Sequence, residues 1–488
     1  MKIKTYRSTQ RENGFTLIQA LLTFAILMIL ISAIFSFSIF TLKVSEKNER
    51  RLNSLEVAEA GINYYLWHLS HDSKDYQDGT GGPVTPPYGP YVHEYYDKDG
   101  QKIGNFTITI NPPELGSNLV TVESKGKMDG GTEERTVVAN LGLPSFARYA
   151  VVANDTMRFG ADTETFGPVH SNGGVRFDGI AHDLVTSALT QYDDPDHLGS
   201  QEDGVHTHQP DPDQVFLAGR SFPVPTISFS GLTADLYDLQ ILSNTPQGIN
   251  IDYSGSYGYH IVLRTNDTFD LYRVTDISGN CSGQSTGRIN SQSFVASYSF
   301  PANGIVFVED NLWLDGQINS AQVTFVSARL PDISDTNTTI TINNDLEYTN
   351  YDGTDKLGLI AQKNILVGIY SEGAFSGTEE EQELRIDGAL LAQKGKVGRN
   401  NFYRFCNSTY YQRNKIRVYG SIATNLRYGF QWISCWGDPP GACVWTRNDD
   451  RDNGYNIRTL LYDENLTLSP PPSFPTTGVF TILDWQEK

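Results

Sequence analysis

The sequence predicts an α+β protein: a long N-terminal helix, a small antiparallel sheet, then a mainly β domain built as a parallel β-helix or similar solenoid. Three observations carry this. Phe15 to Leu42 contains no charged residue over 28 positions, enough to cross a hydrocarbon core of about 30 Å as a helix. Short runs of alternating apolar and polar residues follow between 91 and 141, the pattern of half-buried strands. Beyond 144 the apolar runs become short and recur: Ala361, Ala392 and Ala423 lie 31 residues apart each time. A repeat of that length suggests stacked units.

The 488 residues carry a net charge of −20. Binding to phosphate backbones needs a basic patch. Lys and Arg cluster only beside the apolar run, so no nucleic-acid partner is expected. The 26 Tyr and 24 Phe, with only 4 Met, suit a β-rich protein of an extracytoplasmic compartment. All four cysteines lie beyond residue 280, an even number compatible with disulfides.

The first element is the leader. Lys2, Lys4, Arg7 and Arg11 precede Gly14-Phe15-Thr16-Leu17-Ile18-Gln19-Ala20. The apolar run is too long for a secretory core, and no small-x-small cleavage site follows it. Residues 1–14 and the run behind them resemble the class III signal of type IV pilins and type II secretion pseudopilins. That resemblance implies cleavage between Gly14 and Phe15 by a prepilin peptidase, and methylation of the new N-terminus. It also implies that Thr16, Leu17, Ile18 and Gln19 pack first in the inner membrane and later against other pilins in a filament. Basic residues flank the run on both sides (Lys43, Lys47, Arg50 and Arg51 follow it), so their bias does not orient it. The leader does: N-terminus cytoplasmic, bulk outside, then an extracellular filament or the cell surface.

One departure sets the expected role. The family places Glu at the fifth mature position, where Gln19 stands here. A carboxylate in hydrocarbon requires a partner, and Gln cannot neutralise the amine that such a Glu is thought to pair with. The resemblance therefore points to a minor, tip or priming subunit rather than a shaft subunit.

The helix is expected over 15–72. Leu52, Leu55, Ile62, Leu66 and Leu69 step by three and four, with Glu59 at the missing place, which predicts the packing stripe. Ala58-Glu59-Ala60-Gly61-Ile62 resembles the corresponding stretch of PilX-type minor pilins. Gly and Pro between 78 and 87 end the helix. Residues 88–143 read as a pilin-like antiparallel sheet with turns at Asp99-Gly100 and Asp129-Gly130-Gly131. Residues 144–488 read as the β-helix-like domain, with an insertion near 181–300 and a Pro-rich strap at 470–475 before a final strand.

Candidate chemistry is sparse. His206 and His208 stand two apart, so on a strand both rings face one side and could meet a metal with Asp203, Asp211 or Asp213. The stretch is also loop-like, and no metal or other cofactor is expected. Asp449–Gly454 fails the calcium-loop register. Asp178, Asp315 and Asp387 each precede a Gly, which is turn chemistry or, if stacked, an acidic face. No Gly-x-Ser-x-Gly elbow occurs, His170 has no triad partners in view, and no enzyme is expected. Cys435 and Cys443 bracket a tight loop and form the leading pair, leaving Cys281 with Cys406; four cysteines allow three connectivities. The expected function is a minor pilin-like subunit presenting a recognition domain to an unknown surface ligand. The alternatives are a type II secretion tip pseudopilin and a membrane-tethered β-helical enzyme acting on glycans.

Overall fold

The computed structural model describes residues 15–82, 85–113, 119–196, 201–229, 232–281, 283–402, 405–432, 453–467, 469–476 and 480–488. The chain is α+β, as expected: one long N-terminal helix, then a β-rich remainder in several sheets. It divides into two compact units, Met1–Pro112 with Thr121–Asn140 and Asp484–Lys488, and Pro113–Val120 with Leu141–Leu483.

In the first unit, helix α1 spans Phe15–His71. Residues 16–52 are exposed along their whole length. From Ser54 onward one face is buried: Ser54, Val57, Ala58, Ile62, Tyr65 and Leu69. Ile62 and Leu69 are buried as expected, but the rest of the expected stripe is not. Leu52 is exposed, and Leu55 and Leu66 are only half-buried. The reason is close approach. A side chain on Gly126 would come within 2.2 Å of the Ser54 carbonyl oxygen and 2.3 Å of the Ala58 nitrogen. Helix and strand backbones therefore touch where both elements carry small residues, and Leu52, Leu55 and Leu66 are turned aside.

The sheet under this face holds Tyr88–Tyr96, Lys102–Asn111, Val120–Met128, Glu134–Gly142 and Thr481–Glu487, in that order. The first two pairings are antiparallel. Phe106, Ile108 and Ile110 are buried while the threonines between them are not, the one-sided alternation expected of such a sheet.

The second unit is built from parallel strands in register. One ladder runs through 249–251, 305–308, 322–327, 356–361, 389–392, 421–424, 151–153, 169–171, 185–187 and 220–221. A second runs through 259–263, 312–316, 340–342, 365–367 and 397–399. It has a counterpart in 157–159, 175–177 and 205–206. A third links 316–318, 346–348, 383–388, 415–420, 458–461, 163–166 and 180–181. Side chains from all three meet in one apolar cluster that includes Phe159, Phe177, Phe325, Leu359, Leu390 and Ile422.

The first ladder is also covered on its outer side. Val152, Phe307, Val326, Ile360 and Leu391 pack there against Phe146, Phe474 and Leu236 and Leu239 of helix α2, Leu232–Ser243. A parallel sheet buried on both faces needs near-continuous apolar runs, and Gly358-Leu359-Ile360-Ala361 is one.

The repeat read from the sequence is close to the real register. Ala361 pairs with Ala392 as expected. The next step is longer by one: Ala392 pairs with Thr424 and Leu391 with Ala423. Gly388 stands opposite Gly420 in this register. Gly420, at φ 139°, has no room for a Cβ, which would lie 2.1 Å from the Gly388 oxygen.

Residues 181–300 are not a single insertion. Strands 180–181, 185–187, 220–221, 249–251 and 258–264 belong to the ladders. The departures are α2 and the antiparallel strands Thr268–Ile277 and Ile289–Ser299. The polar composition of 190–213 concealed the short strands among their turns.

Cys281 and Cys406 form a disulfide with Cα atoms 5.7 Å apart. Cys435, Cys443 and the Asp449–Asp452 part of the acidic loop lie outside the described residues. The 470–475 strap packs on the first ladder, where the Thr324 hydroxyl donates to the Pro472 carbonyl at 2.7 Å.

Candidate functional site

The most extended chemical surface is the front of α1. Leu17 is 66% and Ile18 62% exposed, and the large apolar residues continue exposed through Phe24, Phe35 and Leu42. Thr16 and Gln19 are equally open. Backbone polar groups in this stretch are satisfied within the helix, which is what a lipid environment demands. Thr23 and Thr41 return their hydroxyls to carbonyls of the preceding turn, at Gln19 (2.9 Å) and Phe37 (2.8 Å). A continuous apolar surface of this size marks a membrane or partner contact. It is one helix long and apolar enough to cross a membrane. Gly14 lies outside the described residues, and Phe15 begins the helix.

A groove of about 680 Å³ runs along the corner between the second and third ladders of the second unit. Its walls carry Asp315, Asp345, Glu347, Glu372 and Glu380, with Arg288 opposing them. Asp315 accepts from the Asn343 amide at 2.8 Å and lies 3.0 Å from His260 Nε2. Asp345 accepts the Arg385 backbone N–H at 2.8 Å. Burial pushes its carboxyl up to about 7, Glu372 and Glu347 add to the rise, and that N–H opposes it. Glu372 Oε2 is buried without a hydrogen-bond partner.

Of the three Asp-Gly pairs, only Asp315 faces this groove. Asp387 is fully buried. It accepts from the Tyr348 N–H (3.0 Å) and the Tyr351 hydroxyl (2.7 Å) and lies 3.3 Å from Arg417 Nη2, a fixed corner rather than a reactive group. Asp178 receives the His208 N–H at 2.9 Å and Arg176 Nε at 2.8 Å. His170 is buried between the Thr186 hydroxyl and the Asn172 amide oxygen, and burial lowers its basicity.

His206 and His208 do come together, with ring centroids 5.3 Å apart. Their acidic neighbour is Asp194, and the ligand atoms of the three residues lie within 4.8 Å of one another. Asp203, Asp211 and Asp213 are exposed and are not part of that group. Asp194 was not legible as a partner because nothing in its local sequence separates it from the turn Asp193-Asp194-Pro195-Asp196. The pairing of 191–192 with 202–203 brings it across.

No protein-family profile matches the chain, and no curated protein matches it. Among solved structures it is similar to the crystal structure of the competence-associated pilin ComZ from Thermus thermophilus. The identity is 13% and the TM-score 0.26, over 90% of this chain and 98% of that one.

Proposed function

We propose that this chain is a minor, pilin-like subunit of a type IV filament, placed at the tip or acting in priming. The observation that carries the reading is the charge-free, uncovered segment of α1 directly behind Gly14-Phe15. Prepilin peptidase removes residues 1–14. The helix is then held once through the inner membrane, N-terminus inside, and later packs against other pilins through Thr16, Leu17, Ile18 and neighbouring positions. Gln19 in place of a carboxylate suits a subunit that caps rather than repeats. The second unit is a parallel β-helix: its three parallel ladders and shared apolar core support that architecture. It presents a surface for adhesion or recognition and is not an enzyme. The alanine-rich stretch at 58–62 supports a PilX-type affiliation, and a type II secretion tip subunit would use the same parts.

The deciding experiment is mass spectrometry of the mature N-terminus in cells with and without prepilin peptidase. The expected peptide begins at N-methylated Phe15 and appears only with the peptidase. An intact leader in both strains refutes the reading and leaves α1 as a plain anchor.

The groove favours a second reading, glycan cleavage. A carboxyl pushed up to about 7 with further carboxyl groups on the same groove wall supplies the residue types that acid–base hydrolysis requires. Release of reducing ends from acidic polysaccharides, lost in Asp345→Asn and Asp315→Asn alike, would establish it; absence of release across such substrates leaves presentation.

A further inference from the structure

We propose that Asp194, His206 and His208 form a binding site for a divalent cation of the zinc type, which pins residues 191–196 to the strand Val205–His206. This lies apart from the pilin reading and does not depend on it.

The first observation is convergence. Each of the three residues places a ligand atom within 4.8 Å of the others, although they come from two different segments. His206 sits on the last strand of its ladder, paired with Arg176. Asp194 follows the short antiparallel pair that folds back over it.

The second observation is independent of proximity. His206 is only 5% exposed, and neither of its ring nitrogens has a hydrogen-bond partner. Buried polar groups in native proteins are nearly always satisfied, and an unsatisfied one costs about 1–3 kcal/mol. A cation supplies the missing partner of Nε2, the nitrogen on the Asp194 side.

The third observation is metric. His206 Nε2 stands 3.6 Å from Asp194 Oδ2, too far for a hydrogen bond. Tetrahedral zinc holds imidazole nitrogen and carboxylate oxygen at about 2.0–2.1 Å, which places neighbouring ligand atoms about 3.3–3.4 Å apart. A few tenths of an ångström of side-chain movement closes that edge around an ion. Two imidazoles and one carboxylate suit zinc better than calcium or magnesium, which take oxygen ligands. The fourth position opens on the exposed side of His208, where water would complete the shell.

The surrounding residues hold these donors in place, as the groups behind the ligands do at metal sites. The Asp196 N–H donates to Asp194 Oδ1 at 3.0 Å, leaving Oδ2 toward the ring. Asp178 accepts the His208 N–H, and the Gln209 amide donates to the Asp178 carbonyl at 2.8 Å. Arg176 Nη1 lies 3.4 Å from Asp194 Oδ2 and opposes a cation. Asp178, 2.8 Å from Arg176 Nε, offsets that charge. Arg176, Asp178 and Asp194 together thus carry one net negative charge for the ion to meet.

The test uses the full-length, untagged chain in detergent, stripped with a chelator and titrated with Co²⁺. One saturable equivalent with the intense visible absorption of tetrahedral Co²⁺, displaced by Zn²⁺, is expected. His208→Ala, an exposed change that leaves the fold intact by circular dichroism, is expected to weaken that binding at least tenfold. Asp194→Asn should act in the same direction. Absence of a saturable visible band overturns the proposal, as does a band of unchanged intensity and affinity in His208→Ala.

Discussion

Asp345 shows how one residue makes the groove sensitive to pH. Its carboxyl rises from an ordinary 3.8 to about 7 through burial, reinforced by Glu372 and Glu347. The native state therefore keeps a proton that the unfolded chain loses between about pH 4 and pH 7. Stability from this group is fully present below pH 4, declines across that window and is lost above it. Asp345→Asn keeps an acceptor for the Arg385 N–H and removes the decline. A tenfold change in acidity corresponds to about 1.4 kcal/mol, and solvent at the groove mouth screens part of the effect. The variant is expected to exceed the parent by about 1–2 kcal/mol at pH 8 and to equal it at pH 4, read from denaturant midpoints at both pH values. A smaller parent stability at pH 4 than at pH 8, with no gain in the variant, would contradict this. At this scale the sequence told turn chemistry from reactive chemistry only in part. Asp387-Gly388 is the corner its composition suggests, while Asp315 faces the groove, and no local pattern separates the two. The distinction arises from which side of a corner each carboxylate lies on.

Among the elements, α1 divides into two halves with different requirements. The front half is legible at once, because 28 residues without a charge leave few structural choices. In the rear half the helical period is right, and the phase holds at Ile62 and Leu69 but not at Leu52, Leu55 and Leu66. Hydrophobicity adds Leu52, Leu55 and Leu66 to the buried stripe, whereas Ser54 and Ala58 are what let the strand backbone approach at Gly126, and Gly61 makes room for the Ser124 and Phe106 side chains. Hydrophobicity ranks side chains by transfer energy, and here steric access decides. Gly126→Val tests this. Its Cβ would overlap Ser54 and Ala58 backbone atoms that cannot move as side chains do. Overpacking of this kind costs about 1–3 kcal/mol or more, so a melting temperature lower by several degrees is expected. The same change at Gly100, where a Cβ would meet nothing within 4 Å but φ is +78°, is a control for backbone strain alone. The ladder strands obey the opposite logic. Ile360 and Leu359 point to different clusters yet are both buried. Truncation of either to Ala is expected to cost about 2–5 kcal/mol, measured by denaturant unfolding, whereas a one-sided sheet would lose stability at only one of them.

Across the whole chain, the sequence revealed a repeat but not the order in which its units stack. Spacing arguments compare neighbours along the chain, and the repeat from 327 to 424 is a run of such neighbours. The junction at 421–424 is different, because its next neighbour in the ladder is 151–153. The earlier strands 151–153, 169–171, 185–187 and 220–221 continue the ladder from there. The chain then passes through 224–229, with Val224 bonded to Ser187 and Ile227 to Asn172, to reach α2 and the opposite end of the ladder at 249–251. No periodicity signals this return. It has a consequence for biosynthesis. Strand 151–153 leaves the ribosome with one edge unsatisfied, and its partner follows roughly 270 residues later, about 15–55 s at ordinary elongation rates. During that interval an apolar, hydrogen-bond-hungry edge is open to other chains. Newly made protein is thus expected to depend on holding chaperones until the last third of the chain has been delivered.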